Sequence, residues 1–222
     1  MKDRRKLIAS AIVNYAAFLI VAVCFILVLF APDKIELASK SVSERFADAI
    51  KYFTVQSNIL FAAAALTFAI AETRVLTGAA KKIPFAFIVI KHVFTVGVTV
   101  TFLTVALYLS PINEKGYFDL FSGYNFFFHF FVPAIAVASL FLFDGRRFPY
   151  RYTALGLLPF LFYGVFYLIN AYTHTQGGKV VPEYDWYYFL QGGAAFTAVT
   201  ITAMIILTFA VSALLWVGER KR

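Results

Sequence analysis

Charged residues and cysteines are both scarce in this 222-residue chain. Asp, Glu, Lys and Arg together make up 14% of it, where a soluble globular protein has about a quarter. Hydrophobic residues make up 61%, and 27 residues are Phe, which is more apolar surface than a single core could hide from water. The one cysteine, Cys24, excludes a disulfide framework and a cysteine metal cluster. The composition therefore predicts an integral membrane protein.

Six stretches are apolar enough, and at about 20 residues or more long enough, to cross a bilayer as α-helices. These stretches are Leu7 to Phe30, Tyr52 to Ala71, Pro84 to Ser110, Leu120 to Phe143, Tyr152 to Tyr172 and Trp186 to Gly218. The connections are too short for a separate folded domain. We therefore expect an all-α membrane protein in which residues 1–222 form one domain of six transmembrane helices. Gln191, Gly192 and Gly193 mark the expected interfacial start of the last span.

The distribution of basic residues predicts how the chain is oriented. Six spans put both termini on one side of the membrane, and thirteen of the 20 Lys and Arg residues lie on that side. Because Lys and Arg concentrate in cytoplasmic loops, both termini are expected in the cytoplasm. Lys91 falls inside the third span, where its side chain is expected to extend to the headgroups. The basic charge is thereby explained by topology, and we expect no nucleic-acid partner.

A stripe of polar residues opens the second span. At 100° per residue, Thr54, Ser57 and Asn58 lie within about 60° of one direction. Upstream, Ser41 and Glu44 have the spacing of a capping box, so the helix is expected to begin just after Ser41 and to run on into the membrane. Interhelical hydrogen bonding is the structural alternative for such a stripe.

The fourth span carries a histidine among five phenylalanines. Pro133 lacks the N–H that would bond the carbonyl of His129 in an α-helix, so we expect a free backbone acceptor and a kink there. Asn125 lies one turn earlier on the same face. This span runs inward, so His129 and Thr54 are expected at depths that differ by only a turn or two. A hydrogen-bonded packing role is the alternative for a solitary membrane histidine.

The fifth span supplies two tyrosines whose hydroxyl groups need polar partners. We expect Tyr163 and Tyr167 to line the same outer cavity as Thr54. The aromatic cluster that follows, from Tyr184 to Tyr188, is typical of an interfacial belt.

Three short motifs carry a resemblance to a known family. They are Tyr-Phe-Thr-Val-Gln-Ser-Asn at 52–58, His-Phe-Phe-Val-Pro at 129–133 and Trp-Tyr-Tyr-Phe-Leu at 186–190. With the order and spacing of the spans, they resemble bacterial relatives of the androgen-induced and androgen-dependent TFPI-regulating proteins, which are six-span intramembrane threonine hydrolases. The resemblance implies that Thr54 is the nucleophile and His129 the base, in a bacterial inner membrane. In the vertebrate members the substrates are fatty acid esters of hydroxy fatty acids.

Independently of the resemblance, these residues are compatible with ester hydrolysis by a threonine nucleophile. A threonine hydroxyl needs a base within hydrogen-bond reach, and neutral imidazole suits this role. No Asp or Glu lies in the six predicted spans, so Asn125 or a backbone carbonyl is expected to orient the ring. Ser57 and Asn58 are candidate donors to the oxyanion. We expect the substrate, a long-chain lipid ester, to enter from the bilayer.

A non-enzymatic role is the main alternative. A multipass lipid-binding protein or a transporter with an outer-facing polar pocket suits the same six helices. A metal or haem protein would need paired histidines, but His92 and His129 lie toward opposite faces of the membrane and His174 lies in a loop. We therefore expect no metal and no cofactor. The sequence leaves the oligomeric state and the physiological ester open.

Overall fold

The computed structural model describes residues 2–31, 38–144 and 148–220, and six of its helices are long and apolar enough to cross a membrane. We number these spans helix 1 to helix 6: Arg4–Phe30, Phe53–Leu76, Phe85–Ile112, Tyr124–Phe143, Tyr150–Thr173 and Gly193–Glu219. The prediction of an all-α protein with six spans is confirmed. The chain is thus an integral multi-pass membrane protein. Five of the basic residues used to predict orientation lie outside the described residues: Lys34, Arg146, Arg147, Lys221 and Arg222.

Helices 3, 4 and 5 change their helical type along their length, whereas helices 1, 2 and 6 are α-helical throughout. The α-helical elements are Lys2–Phe30, Val42–Ile50, Phe53–Leu76, Phe85–Thr104, Tyr124–Phe126, Val132–Ser139, Leu158–Thr173 and Gly193–Arg220. In the parts of the chain that the structure describes, three π-helical turns occupy Val105–Leu109, Phe127–Phe131 and Leu140–Asp144. The 3₁₀ segments are Ser110–Ile112, Asp119–Phe121, Tyr150–Leu157 and Pro182–Tyr184. Between helices 5 and 6, β1 (Thr175–Gln176) pairs antiparallel with β2 (Lys179–Val180).

Helix 3 lies at the centre of the bundle, where it packs against helices 2, 4, 5 and 6, while helix 1 packs along helix 2. We call the end of the bundle that carries both termini the terminal end and the opposite end the far end. One apolar core, around Phe61, Val98 and Phe128, joins helices 1 to 4. A second core, around Val100 and Tyr163, joins helix 3 to helices 5 and 6.

The capping box before helix 2 is present, but the helix that it starts does not continue into the membrane. The Ser41 hydroxyl accepts from the N–H of Glu44, and the Glu44 carboxylate accepts from the N–H of Ser41 at 2.7 Å. This surface helix, Val42–Ile50, ends before Tyr52, which is extended at φ −87° and ψ 135°. The expected continuous helix is therefore wrong. Gln56 of helix 2 donates at 2.7 Å to the last carbonyl of the surface helix, which stabilises the break.

Among the described residues, two carboxylates are buried within the membrane-spanning helices, although the predicted spans contain none. Glu72 of helix 2 is 1% exposed and accepts from the side-chain amide of Asn14 at 3.2 Å. Glu219 of helix 6 is 3% exposed, and its Oε1 lies 3.0 Å from Nδ1 of His92 in helix 3. Each carboxylate lies one residue beyond the predicted end of its span, because a count of apolar residues stops at the first charge.

Lys91 does not extend to the headgroups, so that expectation is wrong as well. Its side chain is 1% exposed, and Nζ donates to Oγ of Ser139 in helix 4 at 2.8 Å. Nζ also lies 4.4 Å from the centroid of the Phe68 ring. A hydroxyl acceptor and an aromatic face thus replace water around the ammonium group, which keeps it within the bundle.

Candidate functional site

Thr54 lies in the first turn of helix 2, and its hydroxyl makes no hydrogen bond within the described part of the chain. Other helical threonines, such as Thr67 and Thr99, donate to the carbonyl four residues earlier, at 2.8 and 2.7 Å. That partner is not available to Thr54, because the carbonyl of Ile50 belongs to the surface helix and accepts from Gln56. The break before helix 2 therefore leaves the Thr54 hydroxyl open to a ligand.

The Thr54 side chain lies on the wall of a cavity of about 150 Å³ in the far half of the bundle. The wall is apolar apart from a few threonine hydroxyls. Helices 2, 3, 5 and 6 and the connection before helix 6 contribute Phe53, Thr54, Thr101, Thr104, Val105, Leu109, Phe160, Leu161, Tyr163, Gly164, Val165, Tyr167, Leu168, Tyr187, Phe189, Leu190, Ile201, Met204 and Ile205.

The backbone of helix 4 opens into a π-turn at His129, immediately before Pro133. The N–H of Val132 donates to the carbonyl of Phe127, five residues earlier, and residue 133 has no N–H to offer. The carbonyl of Phe128 is consequently left without a helical N–H donor. We expected this free carbonyl at His129; the π-turn shifts it by one residue.

Asn58 supplies the missing donor and thereby joins the two halves of the candidate site. Its side-chain Nδ2 donates to the carbonyl of Phe128 at 3.1 Å and to the carbonyl of Thr54 at 2.7 Å. Because both neighbours can only accept, the amide nitrogen must face them, and Oδ1 is left buried without a partner among the described residues. One amide therefore connects the turn that carries Thr54 to the turn that carries His129.

The ring of His129 is oriented by a backbone carbonyl. Nδ1 lies 2.5 Å from the carbonyl oxygen of Leu120, and the ring packs edge-on against Phe121. A carbonyl can only accept, so Nδ1 carries a proton and Nε2 of the neutral ring has a free lone pair. Nε2 makes no hydrogen bond within the described residues, and the side chain of Asn125 makes none to the ring. Leu120, rather than Asn125, thus orients the imidazole.

The candidate oxyanion donors are occupied by protein acceptors. Both amide protons of Asn58 are used on carbonyls, as described above. The hydroxyl of Ser57 donates to the Thr54 carbonyl at 3.1 Å and lies 2.9 Å from Oγ1 of Thr101, with which it forms a second hydrogen bond. Ser57 and Asn58 therefore hold helix 2 against helices 3 and 4, and neither directs a free donor into the cavity.

Tyr163 and Tyr167 both lie on the cavity wall, but their hydroxyls are directed away into polar partners at the far end. The hydroxyl of Tyr163 donates to the carbonyl of Lys51 at 2.7 Å and accepts from Nε1 of Trp186 at 2.9 Å. The hydroxyl of Tyr167 donates to the carboxylate of Asp185. Each tyrosine therefore presents its ring to the cavity.

Two residues of the connection before helix 6 are buried and hydrogen-bonded, whereas we expected them only to form part of an interfacial belt. Asp185 is fully buried and accepts from the N–H groups of Phe189 and Leu190, both at 3.0 Å. The hydroxyl of Tyr187 accepts from the N–H of Phe53 at 2.9 Å and so caps the first turn of helix 2. Burial raises the pKa of Tyr187 to about 12, so this hydroxyl stays protonated at neutral pH.

Of the residues singled out in the sequence, the cavity brings together Thr54, Tyr163 and Tyr167. Asn58 links this group to the His129 turn, whereas His129 and Asn125 are not among the residues that line the cavity. In the described part of the chain, no group of three His, Cys, Asp or Glu residues could hold a metal ion. No family model matches the chain, and neither a curated protein nor a solved structure matches it.

Proposed function

We propose that this membrane protein is an intramembrane hydrolase of long-chain lipid esters, with Thr54 as the nucleophile and His129 as the base. The observation that carries the proposal is the bridge made by Asn58. A single amide holds the turn with an unpartnered threonine hydroxyl beside the turn with a histidine whose Nε2 is free. The resemblance of the three motifs to six-span threonine hydrolases supports the same pair.

The reaction uses the two groups as nucleophile and proton carrier. Oγ1 of Thr54 attacks the ester carbonyl carbon while its proton passes to Nε2 of His129. The alcohol then leaves with that proton, and water hydrolyses the acyl-threonine ester to release the fatty acid. The carbonyl of Leu120 keeps the ring in the required tautomer, as a carboxylate does in a serine hydrolase. Substrate binding must bring Nε2 to the cavity wall, since catalytic hydrogen bonds often tighten only in the complex.

A lipid-binding protein without catalysis is the second candidate function. The specific observation in its favour is the cavity itself, whose wall is apolar and does not include the histidine. A transporter fits less well, because it would need a polar track across the membrane and the cavity wall carries only a few hydroxyl groups.

Labelling with a fluorophosphonate probe separates the two candidates, because the probe reacts only with an activated hydroxyl. We expect the purified protein in liposomes to be labelled, and Thr54→Ala and His129→Ala to lose the label. Thr67→Ala, an exposed threonine of the same helix, is the matched control. If the parent and the three variants are all labelled equally, Thr54 is not an activated nucleophile, and the lipid-binding function replaces the hydrolase proposal.

The sequence-based orientation belongs to the same proposal. Both termini lie in the cytoplasm of a bacterial cell whose inner membrane holds the protein, so the far end and its cavity face outward. Cysteine introduced at Lys115 or Lys179 should then react with a membrane-impermeant reagent from outside, after Cys24→Ser removes the native thiol. Reaction only from the cytoplasmic side would reverse the orientation.

A further inference from the structure

Helices 5 and 6 are tightly joined at the terminal end of the bundle. Gly156 of helix 5 faces Ser212 of helix 6 so closely that a Cβ at residue 156 would lie 2.6 Å from the serine Oγ. The same hydroxyl donates to the carbonyl of Thr153 at 2.8 Å. Nε2 of His92 in helix 3 lies 3.0 Å from it on the other side. These contacts fix the two helices to each other and to helix 3.

Toward the far end the two helices separate. The α-helical part of helix 5, Leu158–Thr173, has almost no close backbone approach to helix 6 within the described residues. The cavity fills the gap, between Gly164 and Leu168 on one side and Ile201 and Ile205 on the other. A Cβ added at Gly164 would meet no atom within 4 Å. Helices 5 and 6 therefore form a V that is closed at the terminal end and open at the far end.

The opening of the V faces lipid. Val165 and Leu161 line the cavity, yet they are 58% and 40% exposed on the outer surface of the bundle. Both lie well inside helix 5, which crosses the membrane, so the medium at this surface is hydrocarbon. At the inner end of the gap lies Thr54 with its unpartnered hydroxyl. The cavity is thus continuous with the bilayer at one end and reaches a reactive group at the other.

We propose that the V between helices 5 and 6 is a lateral portal that binds one hydrocarbon chain of a membrane lipid. The identity of this lipid rests on the proposed function: it is the ester that Thr54 cleaves. An apolar cavity of this size stays dry and accepts a ligand about as large as benzene. It therefore holds the carbons next to the ester group, while the rest of the chain extends through the portal into the bilayer.

Substitutions that fill the gap test the portal directly. Gly164→Phe places a ring in the open space on helix 5, and Ile201→Phe enlarges a side chain on the facing helix. Ile169→Phe is the matched control, because residue 169 lies on helix 5, is 61% exposed and is not part of the cavity wall. Elution as a monodisperse peak in detergent selects the variants that fold.

The probe is a long-chain ester with a photoreactive diazirine on the carbons next to the ester group, incorporated in phosphatidylcholine liposomes. We expect the parent and Ile169→Phe to be crosslinked on helices 5 and 6, and at least one folded filling variant to lose labelling by about 10-fold, equivalent to about 1.4 kcal/mol. Equal labelling of the parent and every folded filling variant, or crosslinks confined to other helices, would overturn the portal.

A Thr54→Ala background separates this inference from the proposed function. If Thr54→Ala does not hydrolyse the ester and its labelling is still reduced by Gly164→Phe, both the portal and the hydrolase proposal are supported. If Thr54→Ala hydrolyses the ester at the parent rate but labelling still depends on Gly164, the portal stands and the hydrolase proposal is wrong. If Thr54→Ala abolishes hydrolysis but Gly164→Phe changes neither labelling nor hydrolysis, the portal alone is wrong.

Discussion

Replacing Glu219 by alanine tests how strongly a buried histidine–glutamate contact holds helix 6 to helix 3. The His92 ring is fully buried, with Nδ1 3.0 Å from Glu219 and Nε2 3.0 Å from the Ser212 hydroxyl. Because that hydroxyl donates to the carbonyl of Thr153, it accepts from Nε2, and the Glu219 carboxyl group is the partner of Nδ1. Removing Glu219 leaves Nδ1 buried without this partner, which costs about 1–3 kcal/mol.

The assay is unfolding by SDS in dodecylmaltoside micelles, followed by tryptophan fluorescence. Trp216 lies one turn before Glu219 and donates from Nε1 to the carbonyl of Phe148 at 2.8 Å, so it reports on this end of helix 6. Glu219→Gln retains a hydrogen-bonding side chain and should lose less stability than Glu219→Ala. Glu114→Ala, at an exposed loop residue, should change stability by no more than about 0.5 kcal/mol. Equal stability of Glu219→Ala and Glu114→Ala would refute the argument.

Three further substitutions address the far end. Asn58→Leu leaves the Phe128 carbonyl buried without a donor, so we expect unfolding in SDS to show a loss of about 1–3 kcal/mol, and hydrolysis to fall with it. Tyr187→Phe removes the hydroxyl that caps helix 2 and should cost a similar amount by the same assay. Ser41→Ala should raise the pKa of Glu44, which the Ser41 hydroxyl and N–H hold below its usual value, as an NMR titration would detect. A carboxylate with a lowered pKa stabilises the cap only above the range in which it titrates, so the parent should lose this contribution as pH falls. The variant retains the N–H of residue 41 and should therefore lose less stability over the same pH range.

The number of spans was predictable because each one is a long apolar run in a chain with few charges. The capping box at Ser41 was equally local, since both of its hydrogen bonds join residues three apart. The break at Tyr52 was not predictable, because it is stabilised by the Tyr187 hydroxyl, 134 residues away from Phe53 in sequence. Local pattern thus identifies elements, while their exact ends depend on contacts from elsewhere in the fold.

The candidate site shows the same division. Helical geometry alone put Thr54, Ser57 and Asn58 on one face, and Pro133 alone indicated a free carbonyl nearby. The π-turn determines that the free carbonyl belongs to Phe128. The packing of helix 2 against helix 4 determines that Asn58 donates to it. The buried partners of His92 and Lys91 were not predicted, because a hydropathy count ends a span at the first charged residue and carries no information about contacts between helices.

The most direct test of the central claim is the rate at which purified protein in liposomes hydrolyses a long-chain ester of a hydroxy fatty acid. Thr54→Ala and His129→Ala should each lower kcat/KM by about 100-fold or more, and the double variant should be no slower than the worse single one. Thr67→Ala should keep the parent rate. Turnover by folded Thr54→Ala and His129→Ala at the rate of Thr67→Ala would contradict the account.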